Sequence, residues 1–257
     1  MIRAWLDMSP PGIFLILAIL NFGMAGLLTW IVFRSPLRRP LTSLNGVVAP
    51  FFNAVAILFA LLAGFLANDI GDRGRLALRT VQSEAGELRN VHMLSVAATS
   101  DMQSIRLALR DYVTSLVNDE WPAMDAQRPS PRTSAAYDNL LREVSRRSLS
   151  NASGGAVHAA LLNAAVRAGT ARNIRLALAE DHTNDLKWLV VILLGLFTQV
   201  AIGLVHLDRP RAFAASLAVF SGAVVMALGI IALQEYPFEG AFHVSSAPVA
   251  ALESLGN

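Results

Sequence analysis

The sequence contains no cysteine. That excludes disulfides, thiolate metal sites and cysteine nucleophiles together, although it fixes no compartment. Lysine is almost missing as well: Lys187 stands alone, and every other basic side chain apart from histidine is arginine. Charge of either sign is scarce, at 16% of residues where a water-soluble domain carries about 25%. A formal net charge of +2 is too slight to point to a nucleic-acid partner. Catalytic patterns are also absent. His92, His158, His182, His206 and His243 lie far apart, and none has an H-x-x-x-H or H-E-x-x-H partner. Neither G-x-x-x-x-G-K-[ST] nor G-x-S-x-G occurs. Glu180, Asp181, His182 and Asp185 cluster, with Asp181 and Asp185 one turn apart, and read better as a solvated helix end than as a cation site. An enzyme has no foothold here, and no cofactor is expected.

What is present is apolar: 54% of residues, with a mean hydropathy of +0.48. Four segments lack Asp, Glu, Lys and Arg altogether: residues 12–33, 46–68, 188–207 and 212–233. Each reaches the roughly 20 residues a helix needs to cross about 30 Å of hydrocarbon. The expected fold class is therefore an all-α integral membrane protein. Its four transmembrane helices fall into two pairs, with a helical extramembrane domain between them. The first segment is too long for a signal-peptide core, and no small-x-small cleavage site follows before Arg34, so it reads as an anchor.

The boundaries that follow are 1–68 for the first pair, 69–187 for the middle domain, 188–233 for the second pair and 234–257 for a tail. In the middle domain Met102, Ile105, Leu109, Val113 and Leu116 recur at helical spacing. Leu88, Val91, Ser95 and Ala98 extend the stripe backwards and predict one long helix over 70–118. Trp121-Pro122 should end it, because proline cannot continue a helix. The prolines of 127–133 mark a loop, and a second helix is expected over 134–149. Residues 151–155 (NASGG) form the next break, and a third helix should run over 156–180. The tail, with Pro237 and Pro248, reads as extended.

Charge does not orient the chain. Five basic residues (Arg34, Arg38, Arg39, Arg209, Arg211) lie in the two loops within the pairs. Seven (Arg3, Arg73, Arg75, Arg79, Arg172, Arg175, Lys187) lie on the other side, and the positive-inside rule needs a clearer bias.

Two patches carry a family resemblance. Residues 64–73 (GFLANDIGDR) are similar to the end of the second helix in bestrophin anion channels. Residues 235–240 (EYPFEG) resemble the turn after that family's last helix. The longer run from Pro237 to Ser245 fits the PFxG-x₃-VS closing signature of the bestrophin-like group of bacterial membrane proteins. Two features depart from true bestrophins: Gly74 and Arg75 replace tryptophans, and the consecutive carboxylates that bind calcium are missing. The resemblance implies a multi-pass protein of the bacterial inner membrane with both termini and residues 69–187 in the cytoplasm. It further implies a ring-shaped homo-oligomer, pentameric in bestrophins, that passes ions, with anions expected, through a pore lined by the second span. Its post-helix turn would be Glu235, Pro237, Phe238 and Gly240, and no calcium gating is expected there. The rival reading is a non-conducting scaffold or sensor whose middle domain binds a protein partner.

The residues themselves offer a lining. Pro50 interrupts the second span, with Asn53 one turn below it. Phe52, Val55, Phe59 and Leu62 share a face and could form a hydrophobic constriction. A one-residue shift would put Phe51, Ala54 and Leu58 there instead. Asn68, Asp69, Asp72 and Arg73 then mark the pore mouth. The lipid bilayer, further copies of the chain and the permeant ions are the expected partners. In the third span Gln199 is expected to make an interhelical hydrogen bond.

Overall fold

The computed structural model describes residues 3–36, 49–98, 100–124 and 128–256. The loop carrying Arg38 and Arg39 lies outside them. The described residues are helices and turns, without a strand. The chain divides into two compact units: Met1–Asp72 with Thr183–Glu235 and Gly240–Phe242, and Arg73–His182 with Tyr236–Glu239 and His243–Asn257.

The first unit holds the four apolar helices, each long enough to span a membrane. They are α1 (Pro10–Arg34), the first part of α2 (Ala49–Ala97), and, later in the chain, Asp185–Val205 and Pro210–Ala232. Pro10 and Pro210 each open a helix, where an N–H would have no intrahelical partner. Pro50 is the second described residue of α2, and the helix continues from it without a break through the span. Gly229 lets α1 approach the last span closely: a Cβ there would collide with the Phe14 ring. Between these helices Gln199 Nε2 donates to Asn21 Oδ1 at 3.0 Å and Ser221 Oγ at 3.3 Å. This is the interhelical bonding expected of Gln199.

The second unit is a helical bundle. It takes in the rest of α2, then α3 (Gln103–Ser115), α4 (Pro131–Val144), α5 (Arg147–Ser153) and α6 (Gly155–Glu180). The two later spans are then α7 (Asp185–Val205) and α8 (Pro210–Ala232). The single helix expected over 70–118 instead breaks after Ala97. Asp101 Oδ1 accepts the Gln103 backbone N–H at 2.9 Å, a local bond that competes with helix continuation. Trp121-Pro122 does not end the next helix. A π-type turn over Leu116–Glu120, with the Trp121 N–H on the Leu116 carbonyl, carries it through to Met124. Ser130 caps α4, accepting the Thr133 N–H at 3.3 Å. The helix expected over 134–149 is two helices, α4 and α5, whereas α6 closely matches 156–180. The tail is not extended. Ala247–Ala250 forms a helical turn, and Val249 and Leu252 are buried in the apolar core of the second unit.

That core also buries charge. Arg175 is wholly buried; its Nε donates to Glu84 Oε2 at 2.7 Å and its Nη2 to Glu120 Oε1 at 2.7 Å. Arg172 donates from Nε to both oxygens of Glu120, at 3.0 and 3.1 Å, and from Nη2 to Ser134 Oγ. Tyr112 donates to Glu84 Oε1 at 3.0 Å. Burial, then the Glu84 carboxylate, pushes the Tyr112 hydroxyl well above its usual range. Burial alone would raise the Glu120 carboxyl, but the hydrogen bonds and charges of Arg172 and Arg175 outweigh it and hold it low.

Candidate ion pathway along the second helix

In the span part of α2 two faces differ sharply. One face, Phe52, Val55, Phe59 and Leu62, is half-buried, and Leu66 and Ile70 continue it fully buried. Phe59 meets Phe220 of α8 edge-on with ring centroids 5.9 Å apart, and a Cβ on Gly195 of α7 would lie 3.4 Å from its ring. Phe52 packs on the cluster around Ile202 and Phe213. These contacts of Phe52 and Phe59 are made within one chain, between its own helices. The side chain of Phe51 lies outside the described residues.

The opposite face is uncovered. Ile57, Leu61 and Phe65 follow one another at i+4 spacing and are 65%, 50% and 60% exposed. Leu58 and Ala54 are exposed beside them. Asn53 opens this face, while Gly64, Asn68 and Asp72 carry it to the end of the span, all exposed. The exposed mid-span positions of α1, α7 and α8, by contrast, are apolar throughout, as at Leu15, Ile19, Phe197 and Val219. Polar side chains are expensive against lipid and gather on bundle interiors or wet cavities. Within the four uncharged runs, the exposed polar side chains among the described residues are Asn53 and Asn68, both on this face of α2. The sequence reading placed the lining on Phe52, Val55, Phe59 and Leu62, whereas the exposed large side chains of this part of α2 include Ile57, Leu61 and Phe65.

The residues read as a pore mouth separate into different tasks. Asn68 Nδ2 donates to Asp72 Oδ2 at 2.9 Å, one turn along the exposed face. Asp69 turns toward α7 and accepts from Lys187 Nζ at 2.7 Å. In the second unit Arg73 donates to the Asp181 backbone carbonyl, and its Nε lies 3.9 Å from the Asp181 carboxylate.

The turn after α8 is built from both ends. Glu235 is almost fully buried, and its two oxygens accept from the Thr183 N–H at 2.8 Å and Trp188 Nε1 at 3.2 Å. Trp5 stacks edge-on against Trp188. Within the second unit the Pro237 carbonyl accepts from Val244 N–H at 2.8 Å, and buried Phe238 meets Trp121 edge-on at 6.0 Å. Gly240 has φ +76, the left-handed region that glycine enters without a Cβ penalty. The motif is thus an anchoring device: Glu235 ties the start of α7 to the end of α8, and Phe238 plugs the helical core. Among the described residues no three His, Asp or Glu side chains come together as a metal site.

A profile of the bestrophin-like domain matches residues 19–249, nearly the whole chain. The chain belongs to the bestrophin-like family. Solved structures agree on the fold of this bestrophin-like chain. A variant of a bacterial bestrophin homologue from Klebsiella pneumoniae superposes with a TM-score of 0.68 at 14% identity, covering 97% of each chain. The same homologue solved by zinc phasing gives 0.66 at 14% identity, over 94% of this chain and 96% of that one. A variant described only as a membrane protein gives 0.73 at 12% identity, over 95% and 96%. No curated protein sequence matches. The fold class, four membrane helices with a helical extramembrane domain, is therefore that of the bestrophin-like membrane proteins.

Proposed function

We propose that this bestrophin-like protein is an oligomeric ion channel whose conduction pathway is lined by the uncovered face of α2. The carrying observation is the contrast between that helix's two faces. Phe52 and Phe59 pack against the chain's own α7 and α8, with Val55 and Leu62 half-buried on the same face. Asn53, Ile57 and Leu61 are exposed, and Phe65, Asn68 and Asp72 continue their face, exposed at a cleft that Leu186, Lys187 and Val190 of α7 also line. Copies arranged around an axis bring Ile57, Leu61 and Phe65 together as three apolar rings, a constriction that gates by dewetting. Asn53 and Asp72 flank it at the two ends. In this reading the gate moves by about a quarter to a half turn of the helix from the aromatic stripe, and Asn68 and Asp72 remain at the mouth. Asp69 and Arg73 become supports through Lys187 and Asp181. Anions are the proposed permeant species, because Arg75 and Arg79 follow Asp72 at one and two turns along the same helix. The membrane is proposed to be the bacterial inner membrane, with both termini and the helical unit in the cytoplasm.

The missing cysteines make a direct test available. Single substitutions Leu61→Cys and Phe59→Cys in reconstituted vesicles can be treated with a water-soluble, thiol-specific reagent. Leu61→Cys should be modified and its ion flux blocked, while Phe59→Cys should stay unreactive. Modification of Phe59→Cys with block, and none at Leu61→Cys, would return the gate to the aromatic stripe.

A further inference from the structure

The second unit contains a cleft of about 470 Å³ that the ion pathway does not use. It opens where α2 breaks from α3, and the C-terminal segment closes one side of it through Leu252. Its floor is apolar and buried: Leu88, Leu109, Val113 and Leu252. Its rim is basic. His92 stands one turn after Leu88 on α2, and Arg106 and Arg110 stand one turn apart on α3, so each pair shares a helix face. Arg106 is partly braced, since its Nη1 donates to the Ser95 carbonyl at 2.9 Å. The carboxylate of Asp101 lies 3.9 Å from Arg106 Nη2, beyond hydrogen-bond range, and is 80% exposed.

Small-molecule sites take this form: a concave apolar floor with a few convergent polar groups, in a volume of several hundred Å³. Guanidinium forks match the two oxygens of a carboxylate, and such charge-assisted bonds are about twice as strong as neutral ones. We infer that this cleft binds an organic anion. Its carboxylate is held by Arg106 and Arg110, and a compact apolar body such as an aromatic ring rests on Leu88, Leu109, Val113 and Leu252. The charge complementarity of the rim selects the anion, and the floor selects against small inorganic ions, which leave it unfilled. Because Leu252 belongs to the C-terminal segment, an occupant also holds that segment on the bundle.

Calorimetry on the full chain in lipid nanodiscs tests this, with phenylacetate as probe, phenylacetamide as its uncharged counterpart and empty nanodiscs as blank. Phenylacetate should bind saturably with a Kd at or below about 1 mM, and phenylacetamide at least tenfold more weakly. Arg110→Gln, at an exposed position, should weaken phenylacetate about tenfold or more. Arg106→Gln should do the same, and serves if the first variant fails to fold. Arg89→Gln, exposed on α2 outside the cleft, should change nothing. Equal binding of acid and amide, no saturable binding by the unsubstituted protein, or equal losses in the Arg89 and Arg110 variants would each overturn the assignment. The readout is independent of conductance, so a silent channel does not decide it.

Discussion

Among α1, α7 and α8 the polar side chains that are buried together, Asn21, Gln199 and Ser221, are all neutral. In the helical unit one buried cluster joins two arginines and two glutamates, Arg172, Arg175, Glu84 and Glu120, with Tyr112 bonded in. The difference follows from what surrounds each bundle. A span has lipid outside it, so a lost partner leaves a polar group with no water within reach, and neutral amides limit that penalty. The bundle of the second unit can host charges because every carboxylate oxygen in the cluster meets a guanidinium or a hydroxyl. Its opposite charges are matched two for two. The lesson is that polarity inside the spans is small and shared. The exposed Asn53 and Asn68 in the uncharged run of α2 are the observation on which the proposed pathway rests.

The sharpest way to break this comparison is to unbalance the charged core. Arg175→Leu removes the partner shared by Glu84 and Glu120 and should destabilise the second unit by about 3–5 kcal/mol, as broken buried pairs do. Circular dichroism during thermal unfolding of the purified protein reads it as a large fall in the melting temperature. If the melt is unchanged, the network is not a determinant of stability.

Acid should act on the same core. The folded state holds Glu120 below its unfolded value of about 4.3. Its contribution is therefore complete above the unfolded value and is lost as pH falls through the folded one. Melting temperature should hold steady from pH 7 to about pH 5 and then fall in more acidic buffer. A Glu120→Gln variant should show a lower plateau and a flatter acid limb.

The neutral cluster should respond less. Gln199→Leu removes two hydrogen bonds between spans, each worth about 0.6–1.7 kcal/mol in membranes. Its cost, measured by the same melts, should be smaller than that of Arg175→Leu. It should not vary with pH, since no member of that cluster titrates. A loss as large as Arg175→Leu would erase the proposed contrast between the two units.

The spans were legible because uncharged runs of 20 or more residues have one physical solution. The family was legible in residues 64–73 and 235–240, and in the second of these Pro237 and the positive-φ Gly240 shape the turn. The lining was not. In a soluble helix periodicity separates inside from outside, but a membrane helix is apolar on both faces. Phe52, Val55, Phe59 and Leu62 therefore look the same whether they meet Phe220 or a pore. The charged core left no local trace either. Glu84 and Glu120 are far from Arg172 and Arg175 in sequence, and only the bundle brings them together. The tail misled through its prolines, although Val249 and Leu252 at i+3 spacing were there to be buried.

The central claim is that the uncovered face of α2 is the wall of the pathway and the aromatic stripe is a seam. Ion flux through reconstituted vesicles, compared for Leu61→Ala and Phe59→Ala, tests it most directly. Leu61→Ala removes a whole ring of large side chains and should raise flux with the oligomer intact. Phe59→Ala should leave a cavity against Phe220 and Gly195 that costs about 3–5 kcal/mol and loosens the particle without a gain in flux. Raised flux in Phe59→Ala with none in Leu61→Ala, in particles that stay assembled, would contradict the account.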